Sequence, residues 1–194
     1  MKKYIIWIVI AVVLVGFLGM SAKVIDKGTE GQYTGVVAFD AGASSSDDWG
    51  NIIAEITGKA EDIAAMDLQA LGDGKAVTLK GTVSDYVSKA GGKKNSITVV
   101  PEGYSGDAVF SVQLGSIYSG TAVRDVQSVK SFADFTNQTE WSQYAKALNS
   151  QLDELVVAPL AIDESAKGKT VTLVGAATAS GNEVSITPVS MTIE

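Results

Sequence analysis

The sequence predicts a β-rich α+β fold, and three observations favour it. Glycine is abundant, with 20 in 194 residues, and this composition suits short strands joined by many turns. Apolar and polar residues alternate in several segments beyond residue 74, as they do along half-buried strands. The phrase GKxVTLxG occurs twice, at an offset of 94 residues. Together these features predict a small β-barrel with an internal duplication, preceded by an N-terminal hydrophobic helix.

The two copies of the phrase, Gly74–Gly81 and Gly168–Gly175, each begin a predicted β-hairpin. A loop rich in glycine and lysine follows the first copy, a Ser-Gly-Asn turn follows the second, and each leads into an Ile-Thr strand. A helix-forming segment precedes both copies. We therefore predict two related units, about 33–103 and 104–194, each a helix plus a hairpin, which can share one sheet system.

A further alternating strand, Ala108–Leu114, lies between the two predicted hairpins. Counted from Gly74, the elements then run strand, strand, strand, helix, strand, strand. Small barrels of the OB type have this order, with a helix that plugs the barrel between the third and fourth strands. The predicted architecture is therefore OB-like.

The first 22 residues form a hydrophobic leader. Lys2 and Lys3 precede 17 uncharged residues, Tyr4–Met20, which would span roughly 26 Å as a helix, slightly less than a hydrocarbon core. The positive flank predicts a cytoplasmic N-terminus and an extracytoplasmic body. Met20 is bulky where a cleavage site before Ala22 needs a small residue, which favours an uncleaved anchor over a cleaved signal peptide, although both readings stay open. Residues 23–32 are predicted to be a polar linker.

One strand and two helical pieces are predicted between the linker and the first copy. Tyr33–Phe39 alternates as a strand does. Ser44–Asp47 supplies cap-type residues for a helix whose apolar stripe contains Trp49, Ile52, Ile53 and Ile56. A second helical piece is predicted from Ala60 to Leu71, ending at Gly72. Acids in this region lack the spacing of a calcium loop, so we interpret them as charges at helix N-termini and predict no metal site.

An amphipathic helix is predicted in the centre of the chain. Asn137 can cap its first turn, and Glu140 can reach back as the second half of a capping box. Apolar residues then recur at spacings of three and four and share one face: Trp141, Tyr144, Ala145, Leu148, Leu152 and Leu155. This stripe is expected to pack on the neighbouring strands.

Composition excludes several kinds of chemistry. The chain has no histidine and no cysteine, which removes the commonest general base, the Ser-His and Cys-His nucleophile systems and most metal ligation. The net charge of −7 repels nucleic acids. We therefore expect no cofactor and no nucleic-acid partner, and we expect that the protein is not an enzyme.

Six polar residues of the central stretch are candidates for ligand binding. Arg124 presents a planar fork to an anion, and amides can bind sugar hydroxyls because they donate and accept at once. Structural alternatives stay open, an internal ion pair for Arg124 with Asp125 and a helix cap for Asn137. The candidate set is Thr121, Arg124, Asp125, Asn137, Gln138 and Asn149.

The central stretch also resembles a known family. The similarity rests on the GTAVRD phrase at Gly120–Asp125, on Asp134–Gln138 with Phe132 before it, on Ala147–Asn149, and on the second GKxV phrase with its Ile-Thr-Pro-Val strand. These phrases are similar to bacterial predicted periplasmic lipoproteins of the domain-of-unknown-function family 2291. The resemblance implies an extracytoplasmic, membrane-anchored protein with an OB-like fold, encoded near sugar transporters of the ATP-binding-cassette type. Met20 stands where such lipoproteins carry the lipidated cysteine.

These observations favour one function and leave two alternatives. The favoured function is a membrane-tethered extracytoplasmic accessory or binding protein, anchored through its N-terminal helix and associated with a sugar uptake system. Its partner is then a transporter component or a small polar solute such as a sugar. The alternatives are a carboxylate-dependent hydrolase of envelope polysaccharide, for which Asp134 and Glu140 are the candidate pair, and a purely structural scaffold.

Overall fold

The computed structural model describes residues 38–72 and 74–194, and in them a β-barrel carries a pair of packed helices. Its strands are β1 (Glu61–Asp62), β2 (Lys75–Lys89), β3 (Lys94–Pro101), β4 (Val109–Leu114), β5 (Thr170–Ser180) and β6 (Glu183–Ile193). Its α-helices are α1 (Ala41–Lys59), α2 (Ala122–Val126) and α3 (Gln138–Leu152).

Five strands close the barrel in the order β2-β3-β4-β6-β5, and β5 pairs again with β2. All these pairs are antiparallel except β4 with β6, which run parallel. Alternate side chains of each strand point inward and form the core, among them Val77, Leu79, Ile97, Val112, Leu173 and Ile186. The predicted OB-like strand order, with the central helix between the third and fourth barrel strands, is confirmed.

The two GKxVTLxG phrases lie side by side in β2 and β5. Leu79 is paired with Leu173, and these are equivalent positions of the two copies because they are 94 residues apart. The pairing extends evenly from this point, from Lys75 opposite Ala177 to Thr82 opposite Thr170. The two strands are therefore related by an approximate twofold axis through the leucine pair. The predicted boundary at residue 103 falls between neighbouring strands β3 and β4 of the same barrel, and the duplication itself stays a prediction.

Helix α1 begins four residues earlier than the serine run suggests. The side chain of Asp40 accepts a hydrogen bond from the backbone N–H of Ala43 at 3.0 Å and so caps the helix. The prediction that Ser44–Asp47 would supply the cap was wrong. Ser45 is instead buried against α3, where its hydroxyl bonds Gln151 Oε1 at 3.1 Å. The predicted apolar stripe is confirmed at Trp49, Ile52 and Ile56, which are buried.

The predicted helical piece from Ala60 to Leu71 was wrong. This segment holds the short strand β1 and two 3₁₀ turns. Asp62 accepts from the N–H of Ala64, and Asp67 from the N–H of Gln69, both at 3.0 Å. Such short-range bonds from aspartate to the backbone compete with α-helix formation and favour turns. The predicted stop at Gly72 is confirmed, since this glycine has a φ of +48°.

Helix α3 begins at the predicted cap, but its stripe packs mainly on helix α1 and not, as expected, on the neighbouring strands, and its last apolar residue lies off the stripe. Tyr144, Ala145, Leu148 and Leu152 are buried, whereas Leu155 is 52% exposed. After Leu152 the helix continues as a π-helical turn, Asp153–Val157. A π turn is wider than an α turn, so it rotates the following residues off the stripe, and Val157 is buried instead.

The predicted leader (1–22), the linker (23–32) and most of the predicted strand Tyr33–Phe39 lie outside the described residues. Ala38 and Phe39, which are described, form no strand. In the described part of the chain, no helix has the length and apolar character needed to cross a membrane.

Candidate functional site

The central motif folds into a short helix whose arginine is held by its neighbours. Arg124 lies in α2, and its Nε and Nη2 donate to Asp125 Oδ1 at 2.8 and 2.6 Å. Nη2 also lies 3.2 Å from Thr121 Oγ1, and this hydroxyl donates to Asp125 Oδ2. The side chain of Arg124 is 13% exposed. Thr121, Arg124 and Asp125 therefore bond one another in a closed set, which we call the Arg124 cluster.

Trp141 of α3 forms the floor beneath this cluster. The guanidinium carbon of Arg124 lies 4.5 Å from the Trp141 ring centroid, within the range of a cation–π contact. Phe135 packs against the same indole at 5.0 Å, and Phe132 meets it edge-on at 6.4 Å. The Phe-x-Asp-Phe phrase therefore fixes the loop before α3 onto that helix. Trp141 is engaged by protein groups, as expected for a member of the apolar stripe of α3.

Gln127 organises the loop that follows α2. Its buried side chain donates to the carbonyls of Arg124 and Lys130, at 3.0 and 2.7 Å, and accepts from the N–H of Lys130 at 2.8 Å. One amide group thus closes the loop over three residues. Sequence reasoning missed Gln127, and a single glutamine in a polar stretch gives no signal of such a role.

Glu55 of α1 ties the same loop to the helix pair. Its carboxylate accepts from the N–H and the hydroxyl of Ser128, and it pairs with Lys59 one turn along α1. Partial burial opposes ionisation, but the hydrogen bonds from Lys59 and Ser128 outweigh it and lower the pKa of Glu55 to about 2. Glu55 and Ser128 are 73 residues apart, so local sequence patterns could not reveal this contact.

We expect Glu55 to make stability depend on pH in the acidic range. Because its pKa is lower in the folded chain, its contribution is complete above about pH 4.5 and is lost as pH falls toward about 2. Urea unfolding across this range should show a smaller acid loss for Glu55→Gln than for the wild type. Glu183→Gln, at an exposed acid on a hairpin tip, is the matched control and should keep the wild-type profile. Equal profiles for Glu55→Gln and the wild type would contradict this assignment.

The Arg124 cluster borders an open groove of about 610 Å³, lined also by Trp141 and by the loop Gln127–Ser131. Its polar groups are largely bonded to protein, since Ser128 Oγ donates to Glu55 and Ser131 Oγ to Asp134. The ammonium of Lys130 makes no hydrogen bond within the described residues. In the same part of the chain, no group of three or more acids is placed to hold a metal ion.

The structure separates the other candidate residues from this cluster. Asn137 caps α3, and its Oδ1 accepts from the N–H groups of Thr139 and Glu140 at 2.9 and 3.0 Å. Gln138 is exposed at the start of the helix and does not line the groove. Asn149 Nδ2 donates to the carbonyl of Gly120 at 3.3 Å and so joins α3 to the start of the motif. The six candidates therefore do not converge on one cleft.

Replacing Asn137 by Ala should lower the free energy of unfolding by about 1 kcal/mol, because two N–H groups of the first turn lose their acceptor. Gln138→Ala, at the next residue, should change it by less than about 0.5 kcal/mol. Chemical denaturation of both variants measures the difference. A larger loss for Gln138→Ala would contradict the assignment of the cap.

The two carboxylates considered for hydrolysis serve as caps. Asp134 Oδ2 accepts from the N–H and the hydroxyl of Ser131 at 2.7 and 2.9 Å, and these bonds lower the pKa of Asp134. Glu140 accepts from the N–H of Thr136 at 2.9 Å, one residue before the predicted capping-box partner Asn137. A general acid needs a raised pKa, so Asp134 is poorly suited to that role.

A comparison with protein families covers nearly the whole chain. The model that describes predicted periplasmic lipoproteins of family DUF2291 matches residues 9–192. The chain belongs to this family. Membership confirms the predicted extracytoplasmic, membrane-anchored location. This DUF2291 member departs from the lipoprotein description in one respect, because none of its 194 residues is a cysteine that could carry lipid.

One solved structure confirms the barrel type. An OB-fold protein from Thermotoga maritima superposes with a TM-score of 0.58 at 15% identity, covering 81% of this chain and 99% of that one. An OBody bound to hen egg-white lysozyme is also similar, at 15% identity over 70% of this chain and 93% of its own, but its TM-score is 0.32 and we draw nothing from it. No functionally curated protein shows significant similarity to the chain.

Proposed function

We propose that this DUF2291 member is a membrane-tethered, extracytoplasmic accessory protein that acts by contact with a partner and not by catalysis. One observation supports it above the others: the polar residues of the family phrases bond one another. Arg124, Asp125 and Thr121 form a closed cluster, and Asn137 and Asp134 are caps. These residues build a rigid helical layer on the barrel, and few of their polar groups are left for a substrate.

The resemblance in the central motif favours a sugar uptake system of the ATP-binding-cassette type as the site of action. In this proposal the partner is a component of that transporter. Binding of a sugar itself is the second candidate, and the groove beside Trp141 is the observation that favours it. Arg124 and Phe135 already occupy ring contacts with Trp141, which leaves less of the indole for stacking. A hydrolase is the weakest candidate, because Asp134 and Glu140 are both engaged as caps.

Replacing Arg124 by Ala separates the accessory function from sugar binding. We expect the free energy of unfolding to fall by about 2 kcal/mol, since hydrogen bonds to the Asp125 carboxylate are lost. Lys130→Ala is the matched control, because it removes a cation from the same groove without breaking a hydrogen bond. Under the proposal, calorimetric titration with a panel of monosaccharides gives no binding to the wild type. Saturable binding that either variant weakens while it melts normally would instead establish a sugar site.

The tethered location has its own test. A protease-sensitive tag placed after Glu194 should be cleaved from outside in intact spheroplasts, and the chain should stay in the membrane fraction. A tag that is protected until the cells are lysed would contradict the proposal.

A further inference from the structure

Three lysines stand together at one end of the barrel in an otherwise acidic chain. Lys89 and Lys94 are directly paired across the β2–β3 hairpin, and Lys93 lies in the tip between them. Gly91 and Gly92 have φ values of +65° and +82°, so the tip turns back through conformations that favour glycine. We call Lys89–Lys94 the lysine hairpin.

The lysines of this hairpin are not neutralised within the fold. Lys89, Lys93 and Lys94 form no ion pair in the described part of the chain, although the whole chain has 22 acidic residues against 15 basic ones. Like charges placed opposite each other in a sheet are destabilising. The cost of the Lys89–Lys94 pair is therefore not offset by a contact within the described residues.

An exposed apolar residue is bonded through its backbone to the hairpin tip. The N–H of Ile117 donates to the carbonyl of Lys93 at 2.9 Å, and the Ile117 residue is 45% exposed. Gly115 fits against the same carbonyl, since a Cβ there would lie 2.8 Å from it. The loop after β4 is thus fixed to the hairpin tip. Tyr118 of the same loop donates a hydrogen bond from its hydroxyl to the carboxylate of Asp153 at 3.4 Å.

From this geometry we infer that the lysine hairpin and Ile117 form a second membrane contact, which binds the headgroups of anionic phospholipids. Lysines close to an exposed aliphatic residue combine attraction to anionic lipid with shallow insertion, as in interfacial membrane binding. The net charge of −7 repels an anionic surface on average, so this end would set the orientation of the body. A tether keeps the body near the bilayer, so a weak contact is sufficient.

The inference rests on the proposed tether, and the test uses the full chain reconstituted in vesicles. Because the chain has no cysteine, Ser116→Cys beside Ile117 gives a single site for a fluorophore. Ser180→Cys is the matched control on the β5–β6 hairpin. That hairpin is at the opposite end of β4, where Val109 pairs with Glu183, whereas Leu114 pairs with Asn95 at the lysine end. Quenching by a lipid-borne nitroxide then measures which end touches the bilayer.

With phosphatidylglycerol in the vesicles, we expect strong quenching at position 116 and little at position 180. The contact should weaken about fivefold for each lysine removed, so K89Q/K93Q/K94Q should abolish the difference between the two positions. The charge-matched control K75Q/K146Q/K169Q should keep this difference in quenching. High salt, or vesicles of phosphatidylcholine alone, should remove the difference in quenching between positions 116 and 180 as well.

Three results would overturn the inference: equal quenching at both positions, quenching that does not depend on phosphatidylglycerol, or an equal loss in both triple variants. Binding of the lysine hairpin to a soluble anionic polysaccharide, without lipid quenching, would also overturn it and indicate a glycan contact. Flotation of the vesicles is measured first. A chain that does not float contradicts both the tether and the contact, whereas one that floats without quenching contradicts the contact alone.

Discussion

Gly81→Ala should lower the free energy of unfolding by about 3 kcal/mol, through overpacking against backbone. A Cβ at this position would lie 2.3 Å from the carbonyl oxygen of Val100 and 2.8 Å from Pro101 Cα. Both atoms belong to the main chain of β3, so no side-chain rotation can relieve the clash. The β2–β3 ladder runs from this pair to Lys89 opposite Lys94, and beyond it the N–H of Glu102 donates to the carbonyl of Lys80 at 2.8 Å. The two strands therefore cannot separate at Gly81 alone.

Gly175→Ala should have a similar effect, because the two glycines hold the same place in the two copies. Gly81 is paired with Pro101, and Gly175 is paired with Pro188. A Cβ on Gly175 would lie 2.6 Å from the carbonyl oxygen of Thr187. Each GKxVTLxG phrase therefore ends on a glycine because its hairpin partner brings a proline-containing segment into close contact.

Urea unfolding of these variants has a natural control in Gly50. This glycine lies within α1, where an added Cβ would meet nothing within 4 Å. Gly50→Ala should therefore raise the free energy of unfolding by up to about 1 kcal/mol, since alanine favours the helix. If Gly81→Ala proved as harmless as Gly50→Ala, the close approach of β2 and β3 would be wrong.

The barrel was predictable because its signals are local and repeated. Alternation in each strand and the order of the elements determine which strands exist, and the second copy of GKxVTLxG gives an internal check. The segment Ala60–Leu71 was not predictable in the same way, because Asp62 and Asp67 convert a helical pattern into turns through bonds to their own backbone. Leu155 was misplaced because nothing in the helical spacing announces the π turn.

The candidate site was predictable only where its contacts are between neighbours in the sequence. The cap at Asn137 and the internal ion pair of Arg124 with Asp125 are both among the structural alternatives that the sequence offers, since both depend on neighbours in sequence. The contacts of Gln127 and Glu55 were missed. Glu55 reaches Ser128 only after α1 and the central motif have packed together, and a contact across that separation leaves no periodic signal. Long-range packing therefore determines which polar groups are bonded within the protein and which are left for a ligand.

Tyr144→Ala should lower the free energy of unfolding by about 4 kcal/mol, because it empties the centre of the helical layer. The side chain is fully buried, and its ring lies 5.1 Å from Phe135 and 6.1 Å from Trp141. Its hydroxyl donates to Asp48 Oδ2 of α1 at 2.9 Å. Burial, together with this carboxylate, raises the pKa of Tyr144 and keeps the phenol protonated as the donor.

Tyr144→Phe separates the hydroxyl from the ring and should cost about 1.5 kcal/mol, the value of a hydrogen bond to a charged acceptor. A double-mutant cycle with Asp48→Ala then measures the contact directly, and the two changes should be coupled by a similar amount. Additive losses would show that the bond contributes nothing to the packing of α1 on α3. A loss for Tyr144→Ala no larger than that for Tyr144→Phe would mean that the ring is not the centre of this layer.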